Sequence, residues 1–328
     1  MKIRILGAGW YGCHIGHALI EAGHDVEIHE IRDRIFAGAS GSIPARLHLG
    51  FHYPRSRMTR AACQEHQAAF MARYEFLTQG VPINLYAIAA RDSLVDFAQY
   101  QDTLRPEVPF VPVRAEEYGL QGCEGAILTG ERHIVSDRAR NHFEASLGEF
   151  VRYGIAPGVH DSPEWDWTID CTFGSQSAAG VDRYEPCLVL LMHGPVDRAI
   201  TIMDGPFGSL YPWNEERGLC SLSSARWTPF SKSIRTYADA QKVIDRLDDR
   251  DVMLQAHAMI DDFARFYPAI AEFEIYRPML SIRAMPRSGA DTRLVDVARD
   301  GDRLIRVRAG KIDAIIHAEK AVRELMGI

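Results

Sequence analysis

Residues 2–30 carry the pattern that most limits what this chain can fold into. A short apolar run, residues 3–6, reads as a buried strand and meets Gly7, Gly9 and Gly12 in G-x-G-x-x-G spacing. A helical segment, residues 14–21, is closed by Gly23, and residues 25–30 read as a second strand ending at Glu30. Each part has a physical task. Gly7 permits the tight turn out of the strand, Gly9 lets a diphosphate approach the backbone, and Gly12 lets the helix pack on the sheet. The helix N-terminus offers free N–H groups and partial positive charge to phosphates. Glu30 stands where a carboxylate accepts ribose hydroxyls and repels a 2′-phosphate, which disfavours NADP. A glycine-rich turn in an ordinary α/β domain shares the three glycines, but the strand, helix and acid together point to dinucleotide binding. Gly7, Ala8, Gly9, Trp10, Tyr11, Gly12, Glu30, Ile31 and Arg32 are the candidate contacts. The motif leaves NAD and FAD open; Gly16, which also lets the helix lie close to the sheet, leans towards FAD.

The chain has 328 residues, room for two domains or one large one. A net charge of −7 gives no nucleic-acid footprint. No apolar run approaches the roughly 20 residues of a membrane span. The motif begins so early that no signal peptide is expected before it, and the six scattered cysteines are those expected of reduced thiols in a cytoplasm. No C-x-x-C pair is present, and no metal site is expected.

After Glu30, the small residues 38–42, with Ala39 and Ser40, can bring backbone amides to a phosphate. The most unusual stretch follows. Residues 45–56 hold Arg46, His48, His52, Tyr53 and Arg55, with Pro54 barring a simple helix. Its cations suit an anionic substrate, and its His and Tyr suit hydrogen bonding at a reacting centre; a surface loop with a structural histidine is the plain alternative. Residues 57–79 look helical, and residues 94–104 form a short helix between strands 81–89 and 110–113. Residues 137–153 read as a helix capped by Ser136 or Asp137. Residues 165–175 read as a strand returning to the first sheet and ending in Cys171, Thr172 and Gly174 near the cofactor. Residues 186–225 read as an antiparallel run carrying Tyr211, residues 237–266 as one long helical region, and residues 276–283 as a strand with Arg277 and Arg283.

This layout resembles the D-amino-acid oxidase/glycine oxidase/sarcosine oxidase family of flavoproteins. The resemblance rests on Gly7-x-Gly9-x-x-Gly12-x-x-x-Gly16 with Glu30, on Ala39-Ser40-Gly41 leading to Arg46-Leu47-His48, and on the order of the pieces. Arg46 to Ser56 and Met203 to Phe207 also look like a less-studied bacterial group of FAD-dependent oxidoreductases that accompany biosynthetic pathways. The resemblance implies an α/β fold: a Rossmann-like FAD-binding domain (1–79, 125–180, 275–328) with an inserted antiparallel-sheet substrate domain (80–124, 181–274). It adds Leu47 to the cofactor contacts and sets Gly310, Lys311 and Ile312 before a last helix whose N-terminus faces the flavin. Cys171-Thr172-Phe173-Gly174 departs from the family's usual turn, and the C-terminal Gly-His-x-x-x-Gly pattern is missing. The flavin-tethering cysteine has no counterpart, and these departures leave the substrate open.

The expected chemistry is FAD-dependent removal of a hydride from a C–N or C–O bond of a small substrate. Arg46, His48, His52 and Tyr53 are the candidates at the ring. Arg55, Tyr211, Arg277 and Arg283 are the candidates for the substrate, an arginine fixing a carboxylate by bidentate pairing. Two other readings stand beside it: a flavin-dependent mutase or monooxygenase on a sugar nucleotide or other anionic metabolite, and a non-catalytic NAD-binding protein.

Overall fold

The computed structural model describes residues 1–156, 158, 160, 162–176, 180–286, 295–308 and 310–328. The opening unit forms as its residues demand: β1 (Lys2–Leu6), α1 (Trp10–Glu21) and β2 (Asp25–Glu30). β1 pairs in parallel with β2 on one side and with Trp167–Asp170 on the other. Leu304–Arg308 and Val151–Tyr153 extend this parallel sheet, and Asp296–Arg299 closes one edge antiparallel. A Cβ on Gly12 would sit 1.9 Å from the Gly7 carbonyl oxygen, and one on Gly16 would sit 2.7 Å from Ile28 Cδ1. Both glycines let α1 lie directly on the strands. Ile3, Ile5, Leu19, Ile28 and Ile169 are buried in the core that this contact creates.

The second layer is an eight-stranded sheet in the order Glu274–Pro286, Val181–His193, Leu219–Ser224, Gly208–Asn214, Arg198–Met203, Ile83–Ala89, Cys123–Thr129, Phe110–Val113. The helix Asp249–Ala264 packs Ala256, Met259 and Phe263 against it. A small third sheet joins β3 (Arg46–Leu47), Arg132–Ile134 and Thr78–Gly80.

Several expectations are corrected. Cys123–Thr129 and Glu274–Pro286 belong to the eight-stranded sheet, although 125–180 and 275–328 were assigned to the nucleotide side. The thirteen-residue strand Val181–His193 needs a partner of equal length, which Glu274–Pro286 supplies. Arg198–Met203 runs parallel to Ile83–Ala89, so the run 186–225 is not purely antiparallel. The helix after Pro54 is α2 (Arg57–Tyr74), because Thr78–Gly80 leaves it to pair with Arg132–Ile134. The helix Ser136–Leu147 has Val135 at its cap rather than Ser136 or Asp137, and Val151–Tyr153 is strand. Region 237–266 divides at Asp248, whose side chain accepts from Asp251 N at 2.8 Å and starts a second helix. Among the described residues no helix is long and apolar enough to cross a membrane.

Candidate active site

A cavity of about 800 Å³ opens along the C-terminal ends of β1 and β2 and continues to the eight-stranded sheet. That is within the range of small-molecule and cofactor sites. Its nucleotide wall is the glycine turn. Gly7 has φ +94°, and a Cβ there would sit 2.9 Å from the Cys171 carbonyl oxygen. Gly9 caps α1 without a side-chain hydrogen bond, and the first turn of α1 holds no acid, so the positive end of the helix is left for an anion. Ser40 Oγ accepts from Trp10 N at 3.1 Å and fills the space beside Gly9. The buried Glu30 carboxylate accepts from Ala8 N at 2.8 Å and Arg32 N at 2.9 Å, which aims it into the crevice with lone pairs remaining for hydroxyls. Ile31, Arg32, Ala39, Cys171 and Thr172 complete this wall. A helix end whose cap residue is glycine, with only Ser40 Oγ on its first N–H, glycines that leave no room for a side chain and a terminal carboxylate fit the diphosphate and ribose of FAD.

The other wall is built from the 45–56 stretch. Leu47 is fully buried, and strand alternation puts Arg46 and His48 on the opposite side, where both line the cavity. Gly50, at φ +105°, turns the chain so that Tyr53 N donates to the Gly50 carbonyl at 2.9 Å. The His48 and Tyr53 rings then lie 5.8 Å apart. Buried Arg60 clamps this loop, donating to the carbonyls of Tyr53 at 3.1 Å and Pro54 at 2.7 Å while pairing with Glu107. The Arg46 guanidinium lies 4.1 Å from the Tyr211 ring centroid. Among the described residues, no carboxylate pairs with it.

The C-terminal turn meets this loop. Tyr11 Oη donates to the Lys311 carbonyl at 2.5 Å and accepts from Gly310 N at 3.2 Å, which ties the turn to α1. Lys311 Nζ donates to Cys63 Sγ at 2.6 Å. Burial lowers the Lys311 pKa, but Tyr53, Asp313 and Cys63 together hold it above the ordinary lysine value. Burial pushes the Cys63 thiol up to about 11 against the pull of Lys311. Gly310, Lys311 and Ile312 all line the cavity.

The remaining expected residues divide. Arg283 lines the cavity, and its Nη2 lies 2.5 Å from the buried Glu185 carboxylate, which it shares with Arg183 at 2.9 Å. His52 is half-buried behind the wall, its ring 5.2 Å from Tyr53. Six further expected residues do not line the cavity wall. Arg55 pairs with Asp204 at 2.6 Å, away from the cavity. Arg277 is exposed on its strand. Tyr211 does not cap the pocket; it is fully buried beneath Arg46. Leu47 is core, and Gly12 and Gly174 act through the backbone, the Gly174 carbonyl accepting from Tyr184 Oη at 2.7 Å. Sequence reasoning missed Glu131, Glu185 and Asp313, and, although it read 237–266 as helical, missed that Tyr237, Gln241 and Ile244 of the helix Tyr237–Arg246 line the cavity from one face. That i, i+4, i+7 spacing was the available signal; the three acids lie in no motif.

No family model matches the chain. It is 31% identical over 338 residues to FAD-dependent monooxygenase FPY4 of Fusarium mangiferae, covering 99% of this chain and 91% of the relative. It is 26% identical over 375 residues to FAD-dependent monooxygenase kojA of Aspergillus flavus, covering 99% and 86%. Both are fungal proteins, where the sequence resemblance was drawn to a bacterial group. Among solved structures, glycine oxidase from Geobacillus kaustophilus superposes with a TM-score of 0.72 at 16% identity, covering 99% of this chain and 94% of that one. NikD, described as an unusual amino acid oxidase, superposes at 0.70 with 13% identity, covering 99% and 93%. The architecture of the flavin-dependent amino-acid oxidases is therefore shared along the whole length.

Proposed function

The chain belongs to the family of FAD-dependent oxidoreductases that includes these monooxygenases, and from that premise we propose that it oxidises a small anionic substrate at a C–N or C–O bond. Bound FAD supplies the two-electron acceptor. The glycine turn, the α1 N-terminus, Glu30 and Ser40 hold the nucleotide, with Gly310, Lys311 and Ile312 at its other end. Arg46 supports the substrate reading most directly: a guanidinium stacked on Tyr211, facing the cavity, with no carboxylate partner among the described residues. A planar cation held this way can take a substrate carboxylate through two hydrogen bonds and fix the carbon beside it. Lys311 adds a second positive charge, and His48 and Tyr53 stand where a proton can be held. Arg283, held on the Glu185 carboxylate that Arg183 shares, serves as a fixed donor at the cavity wall.

The test is anaerobic reduction of the bound flavin by paired amines and alcohols with and without a carboxylate. Wild-type enzyme should prefer the anionic member, and Arg46→Met should raise its KM by about 30-fold, the loss of a charged bidentate contact of roughly 2 kcal/mol. Equal use of both members by wild-type enzyme would refute the reading. The names of the curated relatives favour a second reading, oxygen insertion. Incorporation of label from ¹⁸O₂ into product would establish it; an unlabelled, dehydrogenated product would exclude it.

A further inference from the structure

Arg183 lies behind the cavity wall, and the proposed chemistry gives it no part. It stands on the strand Val181–His193, two positions from Glu185, so alternation puts both side chains on one face. The register sets Glu185 directly opposite Arg283 on Glu274–Pro286. Glu185 Oε1 accepts from Arg183 Nε at 2.9 Å, and its Oε2 accepts from Arg283 Nη2 at 2.5 Å and Nε at 3.1 Å. Two guanidiniums therefore divide one buried carboxylate. Burial works to raise the Glu185 carboxyl, but Arg283 and Arg183 together hold it below its ordinary value. The trio carries one net positive charge, and its neighbours do not cancel it. Asp182 lies 3.2 Å from Arg183 and 2.8 Å from Arg235, so three arginines share two carboxylates. Of these five side chains only Arg283 lines the cavity. Its Nη1 has no hydrogen-bond partner among the described residues, and it interacts electrostatically with Tyr53 of the 45–56 wall.

We propose that Arg183 is the positioning residue of Arg283 and keeps that end of the cavity cationic for a small carboxylate. By occupying Oε1 it confines Arg283 to Oε2, which leaves Nη1 for the ligand. By putting a second guanidinium on one carboxylate it gives the wall a surplus positive charge. A lone Arg283–Glu185 pair would be neutral. Such a pair would still offer N–H groups, but without the net charge that strengthens a hydrogen bond to a carboxylate. Glu185 acts in the opposite direction: it fixes the Arg283 side chain and withdraws part of its charge from the ligand. The two residues behind the wall therefore set the affinity between them, although neither touches the ligand. The inference rests on the reading of an anionic substrate above and names the groups that tune its binding.

The test is a titration of the flavin-loaded Arg46→Met enzyme, which lacks the other cavity guanidinium, with carboxylates from acetate to benzoate, followed by calorimetry and flavin absorbance. Added to this background, Arg183→Met should weaken the tightest of these acids by about fivefold or more, and Arg183→Lys should keep it within about twofold. Glu185→Gln should tighten it, because the wall then carries two uncompensated guanidiniums. The opposite signs separate charge from damage, since a merely structural role would weaken binding in both. An affinity unmoved by Arg183→Met, a loss of the same sign in Glu185→Gln, or no saturable binding to the Arg46→Met enzyme overturns the proposal. Where Glu185→Gln does not hold flavin, Arg183→Met against Arg183→Lys decides. No turnover is involved. Equal use of anionic and neutral substrates would sink the functional reading without moving these titrations.

Discussion

Lys311 Nζ lies 3.8 Å from the centroid of the Tyr53 ring, so the C-terminal turn covers the loop that follows β3 across 258 positions of chain. The contact closes the cavity wall and fixes an ammonium where the ring is electron-rich. Lys311→Met keeps the stem that packs on Tyr53 and deletes the charge. Flavin content should stay within about twofold of wild type, and the rate of anaerobic flavin reduction should fall by about tenfold or more, the scale for losing one charged donor at a reacting centre. Rapid-mixing absorbance measures both; a wild-type rate would remove Lys311 from the site.

What was legible in the sequence was what is local. Gly7, Gly9, Gly12 and Glu30 lie within one β-turn-α-β unit, and their spacing alone places them. Arg46 and His48 were readable because strand alternation around Leu47 sends both to one side. Glu131 was not, since its place behind the cavity wall comes from a pairing, Arg46 with His133, that joins segments 87 positions apart. Arg283 lines the cavity as expected, but its ion pair was not legible for the same reason. Its partner Glu185 is 98 positions away, on the adjacent strand. Arg55 looked like a substrate cation only because nothing nearby in sequence revealed Asp204.

The Arg283–Glu185 pair should behave as one unit. Glu185 is 1% exposed and also accepts from Arg183 Nε at 2.9 Å, so removing Glu185 leaves Arg283 without its carboxylate at the cavity wall, while removing Arg283 leaves Glu185 with Arg183. Glu185→Gln alone should cost about 3 kcal/mol of stability, and the double change with Arg283→Met should recover a good part of it. Denaturant titration of the four proteins gives the coupling. Strictly additive losses would show that the pair is not coupled.

Asp313 predicts a pH dependence. Burial pushes its carboxyl up to about 7, with Lys311 acting in the opposite direction. Between about pH 4 and pH 7 the native chain therefore keeps a proton that the unfolded chain releases. The contribution to stability is complete below about pH 4, declines as pH rises to about 7, and is flat above that. Asp313→Asn removes the decline. Its Tm relative to wild type should rise from pH 4 to pH 7 and then level off in calorimetry; a constant offset over that interval would contradict the assignment.

Arg55 and Arg277 serve as negative controls. Arg55 is held by Asp204 and Arg277 is exposed, both off the cavity wall. Arg55→Ala and Arg277→Ala should each leave KM and kcat within about twofold of wild type, since surface changes remote from a site seldom exceed about 0.5 kcal/mol. A rise in KM comparable to that of Arg46→Met would move the substrate site away from the wall described.

The most direct measurement is a crystal structure of the flavin-loaded enzyme. The account predicts density for the diphosphate at Gly7, Gly9 and the start of α1, with the isoalloxazine against Arg46, His48, Tyr53 and Lys311. A ring placed away from those four side chains, with the diphosphate still on the glycine turn, would contradict it.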